Sequence, residues 1–230
     1  MTTLKLLSSM APRECLAAAA HAYEKSHATR VLAQAAGGVD VAHRIEAGEA
    51  LDVVVLADDA IEKLCAAGHL AREQCQALMT SGIAVGIRSG GGGQVDLSSE
   101  SSVKAAVLAA PSLSYSTGPS GRYLESLFTS WGILDAIRSR IIVPPPGTPV
   151  AQLIASGRAA LGFQQLSELL NVPGIEIAGP LPEEIQHLTT FTGTVTTNSA
   201  NVAAAQDFLD FVVSDALDAI RARFGMAKAG

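Results

Sequence analysis

The chain has 230 residues, 48% hydrophobic and 17% charged, enough to bury one large core or two smaller ones. A net charge of −6 and a pI near 5.3 leave no basic stripe to displace counterions, which excludes nucleic acid as a partner. Cys15, Cys65 and Cys75 fall in stretches read as helical, without metal spacing or a disulfide framework, and are expected to be small buried hydrophobes.

Residues 4–7 read as a short apolar strand that follows the start of the chain directly. No charged start, apolar signal core or small-residue cleavage site precedes it, and no apolar run reaches bilayer length. The sequence as written therefore reads as cytoplasmic and not membrane-embedded; with a leader removed it would be periplasmic. After Ser8-Ser9-Met10, Pro12 opens a helix whose buried face is Leu16, Ala19, Ala20 and Tyr23. A second strand, 29–35, ends at Gly37-Gly38, and the helix after it, 39–47, stops at Gly48. The continuous apolar run 51–56 has the pattern of a strand buried on both faces, and it ends at Ala57-Asp58-Asp59 before a further helix.

Three β-α repeats call for a parallel sheet with helices on both faces, and ligands of such sheets sit beyond the carboxyl ends of the strands. Ser8, Ser9, Met10, Gly37, Gly38 and Asp58 all fall at that edge and are candidate ligand contacts, with Asp58 also placed to cap the next helix. Residues 83–87 form another strand. Arg88 follows, at a crossing of the chain, and then a glycine tract, 89–93, which reads as a surface loop because a phosphate loop needs a Gly-Lys-Ser/Thr ending.

The most informative stretch is Tyr115-Ser116-Thr117-Gly118-Pro119-Ser120-Gly121-Arg122. A strand-like run stops at a polar turn and a helical pattern begins, with Thr117 as the expected cap and Pro119 in the first turn. The N–H groups near Ser120 and Gly121, beside the Arg122 guanidinium, make a place for an anion. Further on, 141–143 reads as a strand and 144–147 as a stiff linker. Thr148-Pro149 is expected to start a helix, and 160–163 to form a strand followed by the polar pair Gln164 and Gln165. Strands at 175–178 and 188–197 and a helix from about 203 to 224 complete the chain. The expected architecture is two α/β lobes, 1–84 plus 194–230 and 85–193, with a ligand cleft between them and hinge closure as its motion.

The segment Ile45-Glu46-Ala47-Gly48-Glu49-Ala50-Leu51-Asp52-Val53-Val54-Val55-Leu56-Ala57-Asp58 resembles the periplasmic molybdate-binding proteins. So, in order, do the serine-bearing first loop, the turn before 39–47, the helix start at 119–123 and the Leu161-Gly162-Phe163 strand. The resemblance implies a two-lobed type 2 periplasmic-binding-protein fold that closes on a ligand and hands it to a membrane transporter. It departs from the oxyanion-binding pattern at Ala11, at Gly37-Gly38 and at Gln165, where the family carries serines and a tyrosine. Arginine and glutamine suit a planar organic carboxylate better than tetrahedral molybdate.

Two functions stay open from the sequence. One is a binder of a small anion, with contacts from Ser8, Ser9, Met10, Gly37, Gly38, Asp58, Thr117, Ser120, Gly121, Arg122, Gln164 and Gln165, no cofactor and no metal. The other is an isomerase on the same scaffold, since the superfamily includes an aconitate isomerase; Arg122 would stabilise the enolate, while Glu168 and His43 are candidate bases that also read as surface groups.

Overall fold

The computed structural model describes residues 2–91, 94–144 and 148–230. Contacts divide the chain into two units, Met1–Ser81 with Thr189–Gly230, and Gly82–Leu188.

The first unit opens with β1 (Thr2–Ser8), α1 (Arg13–Glu24), β2 (Thr29–Ala35), α2 (Gly38–Glu46), β3 (Val53–Ala57) and α3 (Asp58–Ala66). β1 pairs in parallel with β2 from Thr2↔Thr29 to Ser8↔Ala35, and with β3 from Leu6↔Val53 to Ser8↔Val55. Strand alternation sorts the core. Leu4, Leu6, Val53 and Val55 pack with Cys15, Leu16 and Ala19 of α1, while Leu7, Val54 and Leu56 pack with residues of α2 and α3. All three helices therefore start at the carboxyl edge of this sheet, as the β-α alternation predicts. At the opposite end Asp52 forms a clasp. Its carboxylate accepts from the Lys5 N–H (2.8 Å), Ser199 Oγ (2.6 Å) and Asn201 Nδ2 (3.1 Å). Burial pushes the Asp52 pKa up, but these three donors outweigh it and hold the carboxyl below its ordinary value.

Strand β4 (Cys75–Arg88) is far longer than the expected 83–87. Its residues to Ser81 belong to the first unit and those from Gly82 to the second. The second unit continues with α4 (Glu100–Ala109), β5 (Leu113–Tyr115), α5 (Pro119–Ser130), α6 (Leu134–Ile137), α7 (Val150–Ala155), β6 (Leu161–Gln165), α8 (Leu166–Leu169) and β7 (Ile175–Pro180). Its strand order is β7-β4-β6-β5, parallel between β5 and β6 and antiparallel elsewhere. Leu124 and Phe128 of α5 pack with Leu161 and Phe163 on one face, and Val150 and Ile154 of α7 pack with Ala84 on the other. Gly162 has no room for a side chain, because a Cβ there would lie 2.3 Å from Ile154 Cδ1.

The chain then returns to the first unit through β8 (Leu188–Val195), α9 (Val202–Val213), α10 (Asp218–Arg223) and β9 (Ala227–Lys228). β8 lies antiparallel to β3, and β9 pairs with Met79 and Thr80 of β4.

Several expectations need correction. The single C-terminal helix is broken at Ser214, where the buried Arg221 guanidinium donates to the carbonyls of Val212 (2.5 Å) and Ser214 (2.9 Å). These carbonyls find a side-chain donor instead of a continuing helix. Residues 141–143 contribute one bridge, Leu113↔Ile141, rather than a strand. Pro149 is the N-cap of α7, not its first helical residue, and no side chain caps that start. Cys75 begins a strand rather than lying in a helix. Gly92 and Gly93 of the glycine tract, and residues 145–147 of the stiff linker, lie outside the described residues.

Candidate functional site

At the carboxyl edge of the first unit, Ser8 ends β1 as a buried residue whose Oγ donates to the Ser9 carbonyl at 2.9 Å. The Ser9 N–H continues the sheet pattern to Val55 O at 2.9 Å, while Ser9 Oγ is buried without a hydrogen-bond partner. Such an orphan is uncommon, because a buried hydroxyl left unsatisfied costs roughly 1–3 kcal/mol. Met10 is half-buried and its carbonyl accepts from the Arg13 N–H. The Ala36 N–H donates to Ser8 O at 3.0 Å, which places the start of α2 beside the end of β1.

Gly37 is the N-cap of α2 and Gly38 its first residue, both exposed. The starts of α1, α2 and α3 all lack a cap from the N-cap side chain, although the first N–H of α1, that of Arg13, reaches the Met10 carbonyl. Asp58 does not cap α3. Ala57 holds that position, and the exposed Asp58 carboxylate instead accepts from Thr192 Oγ1 at 2.8 Å, tying α3 to β8. His43 lies exposed in the last turn of α2, away from this edge.

In the second unit, the parallel pair β5 and β6 brings Tyr115 opposite Phe163, so the turn at 116–118 and the pair Gln164–Gln165 share one edge. Helix α5 starts there. Gly118 is its N-cap, Pro119 its first residue, and no side chain caps it. The exposed Thr117 sits one place too early to cap, which corrects the expectation. The first helical bond is Arg122 N–H to Gly118 O, so the N–H groups of Ser120 and Gly121 lie ahead of the hydrogen-bonded turns. Ser116 was not singled out from the sequence, yet its Oγ is 3.1 Å from Ser120 Oγ and accepts from the Gly118 N–H at 3.3 Å. Gly121 is compulsory: a Cβ would come within 1.5 Å of Ser116 O.

Arg122 follows on the exposed side of this helix. Its side chain is exposed and lines a surface hollow of about 650 Å³ with Glu125, Ser126 and Thr129, along the outer face of α5. Ser120, Gly121, Leu124 and Phe128 occupy the buried face.

Gln164 and Gln165 are the last two residues of β6 rather than its sequel, and both are buried. Alternation turns them to opposite faces of the sheet. Gln165 shares the α5 side with Phe163; Gln164 shares the α7 side with Gly162. Gln164 Nε2 donates to Glu168 Oε1 at 2.8 Å, leaving Gln164 Oε1 buried with no hydrogen-bond partner. Ser167 Oγ, a second oxygen not anticipated from the sequence, is in the same condition. Arg88 is remote from this edge: the register Ile83↔Gln165 sends the end of β4 toward the other end of β6, where the Arg88 guanidinium packs by Gly157.

Each edge thus combines helix starts that lack side-chain caps with buried oxygens. N–H donors at a helix start accommodate negative charge, and an open buried acceptor accommodates a hydroxyl or protonated carboxyl.

A family model described as bacterial extracellular solute-binding protein matches residues 4–227. An aconitate isomerase from Pseudomonas sp. is 34% identical over 229 residues, covering 96% of this chain and 86% of the relative. Among solved structures, the periplasmic molybdate-binding protein of Azotobacter vinelandii superposes with a TM-score of 0.82 at 20% identity, covering 99% of this chain and 100% of the other. PEB3 with L-phospholactate bound superposes with a TM-score of 0.76 at 14% identity, covering 98% and 100%. No helix among the described residues is long and apolar enough to cross a membrane.

Proposed function

The chain belongs to the bacterial extracellular solute-binding protein family, and we propose that it binds a small organic anion through carboxyl-edge groups. The observation that carries this reading is the start of α5, where the Ser120 and Gly121 N–H groups and the Ser116–Ser120 hydroxyl pair meet with no side-chain cap. Gln164 Oε1, an acceptor that cannot donate, favours an organic acid over a simple oxyanion, whereas the Ser167 and Ser9 hydroxyls can donate to either. Molybdate at neutral pH offers acceptors alone, whereas a hydroxy acid also offers a donor for a buried acceptor. Ser8, Met10, Gly37, Gly38, Asp58, Thr117 and Gln165 are proposed as the remaining contacts. Arg122, one turn into α5, supplies positive charge near the site.

The family's description as extracellular supports the periplasmic alternative for the protein's location, and the partner proposed with it is a membrane transporter. A thermal-shift screen of di- and tricarboxylates, hydroxy acids, molybdate, tungstate and sulfate tests the ligand class. A ligand at a hundred times its Kd adds about 2.7 kcal/mol of apparent stability. Stabilisation by molybdate or tungstate alone would overturn the organic-acid reading.

A second reading, isomerisation of an aconitate-like acid, has one specific observation in its favour, the 34% identity to an aconitate isomerase over nearly the whole chain. Its chemistry is proton removal from an allylic carbon and return at the other end. Glu168, held by Gln164 Nε2, is the proposed base, and the donors at the start of α5 would stabilise the developing enolate. Proton exchange of trans-aconitate followed by NMR in D2O tests it. Binding without exchange leaves the binder alone.

A further inference from the structure

The cysteines were expected to be plain core residues, and one of them is. Cys15 is buried at 1% exposure against α1's neighbours, with burial pushing its thiol up to about 11. Cys65 and Cys75 differ. Cys65 is in the last turn of α3, Cys75 is the first residue of β4, and their sulfurs are 3.7 Å apart. Both are only partly buried, and together with Asp58, Ile61, Glu62 and Arg72 they line a small cavity of about 50 Å³. Two sulfurs this close, from different elements and bordered by a void, have two chemical uses: holding a soft metal ion or forming a disulfide. The first needs further ligands. Among the described residues no group of three or more His, Cys, Asp or Glu side chains is arranged to hold a metal ion.

We propose that Cys65 and Cys75 form a reversible disulfide that ties the end of α3 to the start of β4. Closing the gap from 3.7 Å to a disulfide bond of about 2.05 Å asks for a sulfur displacement of less than about 2 Å, beside space the cavity provides. Burial, with the neighbouring Cys65 sulfur, raises the Cys75 thiol to about 11, which makes it a poor first nucleophile. Cys65 therefore takes the first step. Its thiolate attacks a small external disulfide, RSSR, forming a mixed disulfide and releasing RS⁻, which takes up a proton as RSH. Cys75, losing its proton to water, then attacks the Cys65 sulfur and expels the second RS⁻. The two protein thiols are oxidised and one RSSR is reduced to two RSH. In oxidising surroundings the pair stands closed, and in reducing ones it stands open.

The test uses the full chain incubated with oxidised glutathione, alkylated, and digested with trypsin without reduction. Cleavage after Lys63, Arg72 and Arg88 separates peptides 64–72 and 73–88, one cysteine in each. The expected result is that these two peptides run as one joined species, reversed by dithiothreitol, and that titratable thiols in denaturant fall from three to one. A Cys15→Ser variant is expected to go from two to none. A thiol count that stays at three, a stable glutathione adduct at Cys65, or a linkage involving Cys15 would each overturn the proposal.

Discussion

The two strand edges carry similar proposed contacts with opposite construction. In the second unit the start of α5 is fixed by its own packing: Ser116 Oγ reaches both Ser120 Oγ and the Gly118 N–H, and Gly121 is pressed against Ser116 O. In the first unit the start of α2 is loose by comparison. Gly37 and Gly38 are exposed, Gly38 has nothing within 4 Å of a built Cβ, and the lock on the sheet, Asp52, lies at the other end of the strands. One edge is tightly packed where the proposed ligand groups sit. The other is locked elsewhere and leaves its proposed ligand groups open to adjustment. Substitutions at the second unit's edge should therefore cost stability and affinity together, while those in the first unit should separate the two.

The largest expected effect is Gly121→Ala. A methyl 1.5 Å from a backbone oxygen cannot be absorbed by a rotamer change, so the turn or the first turn of α5 must move. Overpacking against backbone should cost more than about 3 kcal/mol. Urea unfolding measures it, and ligand-induced stabilisation should vanish in the same protein. A variant within about 1 kcal/mol of wild type would mean that this edge is as adjustable as the first.

Asp52→Ala tests the lock of the first unit. It leaves the Lys5 N–H, Ser199 and Asn201 without their acceptor, at a cost of roughly 2–4 kcal/mol. The pH dependence follows from the direction of the shift. The carboxyl titrates lower in the folded state than in the unfolded one, so its contribution is complete above the unfolded value. It is lost as pH falls through the lower, folded value. Wild type should thus lose stability on acidification across that window, and the variant should lose less. Parallel stability curves for the two would remove Asp52 as the lock.

Ser9→Ala comes next, and it separates stability from binding. Its hydroxyl has no protein partner, so removing it should leave the ligand-free protein within about 0.5 kcal/mol of wild type, or slightly more stable. Affinity for the anion found in the screen should fall about 5- to 20-fold, the equivalent of one hydrogen bond. Calorimetric titration of wild type and variant decides; unchanged affinity would make Ser9 a bystander.

Much of the first unit was legible because its signals are local. An apolar run as continuous as 53–57 is buried on both faces, and Gly48, at a φ of 75°, ends α2 where its sequence position predicts. What escaped depends on contacts distant in sequence. The length of β4 escaped because its first half, Cys75 to Gly82, mixes polar and apolar residues and takes its identity from its partners. The break at Ser214 escaped because it depends on Arg221 seven residues later turning back into the core. The same limit applies at the candidate site. The helix start at 119 could be read, but the exposed face occupied by Arg122 and the opposed directions of Gln164 and Gln165 follow from the packing of α5 and the register of β6. The meeting of Cys65 with Cys75 joins a helix to a strand, and no spacing rule announces it.

Gly38→Ala has the smallest expected effect on folding and gives the cleanest contrast with Gly121→Ala. Gly38 is the first residue of α2, its φ is not in the left-handed region, and a Cβ would enter open space. Alanine there restricts the unfolded chain and suits the helix, so stability should rise by roughly 0.5 kcal/mol. If glycine is present so that a ligand can approach the backbone, the same methyl occupies the ligand's space, and affinity should fall severalfold although the protein is more stable. An increase in Tm with reduced affinity would establish that this edge is kept open at the expense of stability. Raised stability with affinity intact would make Gly38 an ordinary turn residue, and the adjustable edge would then rest on Gly37 and Ser9.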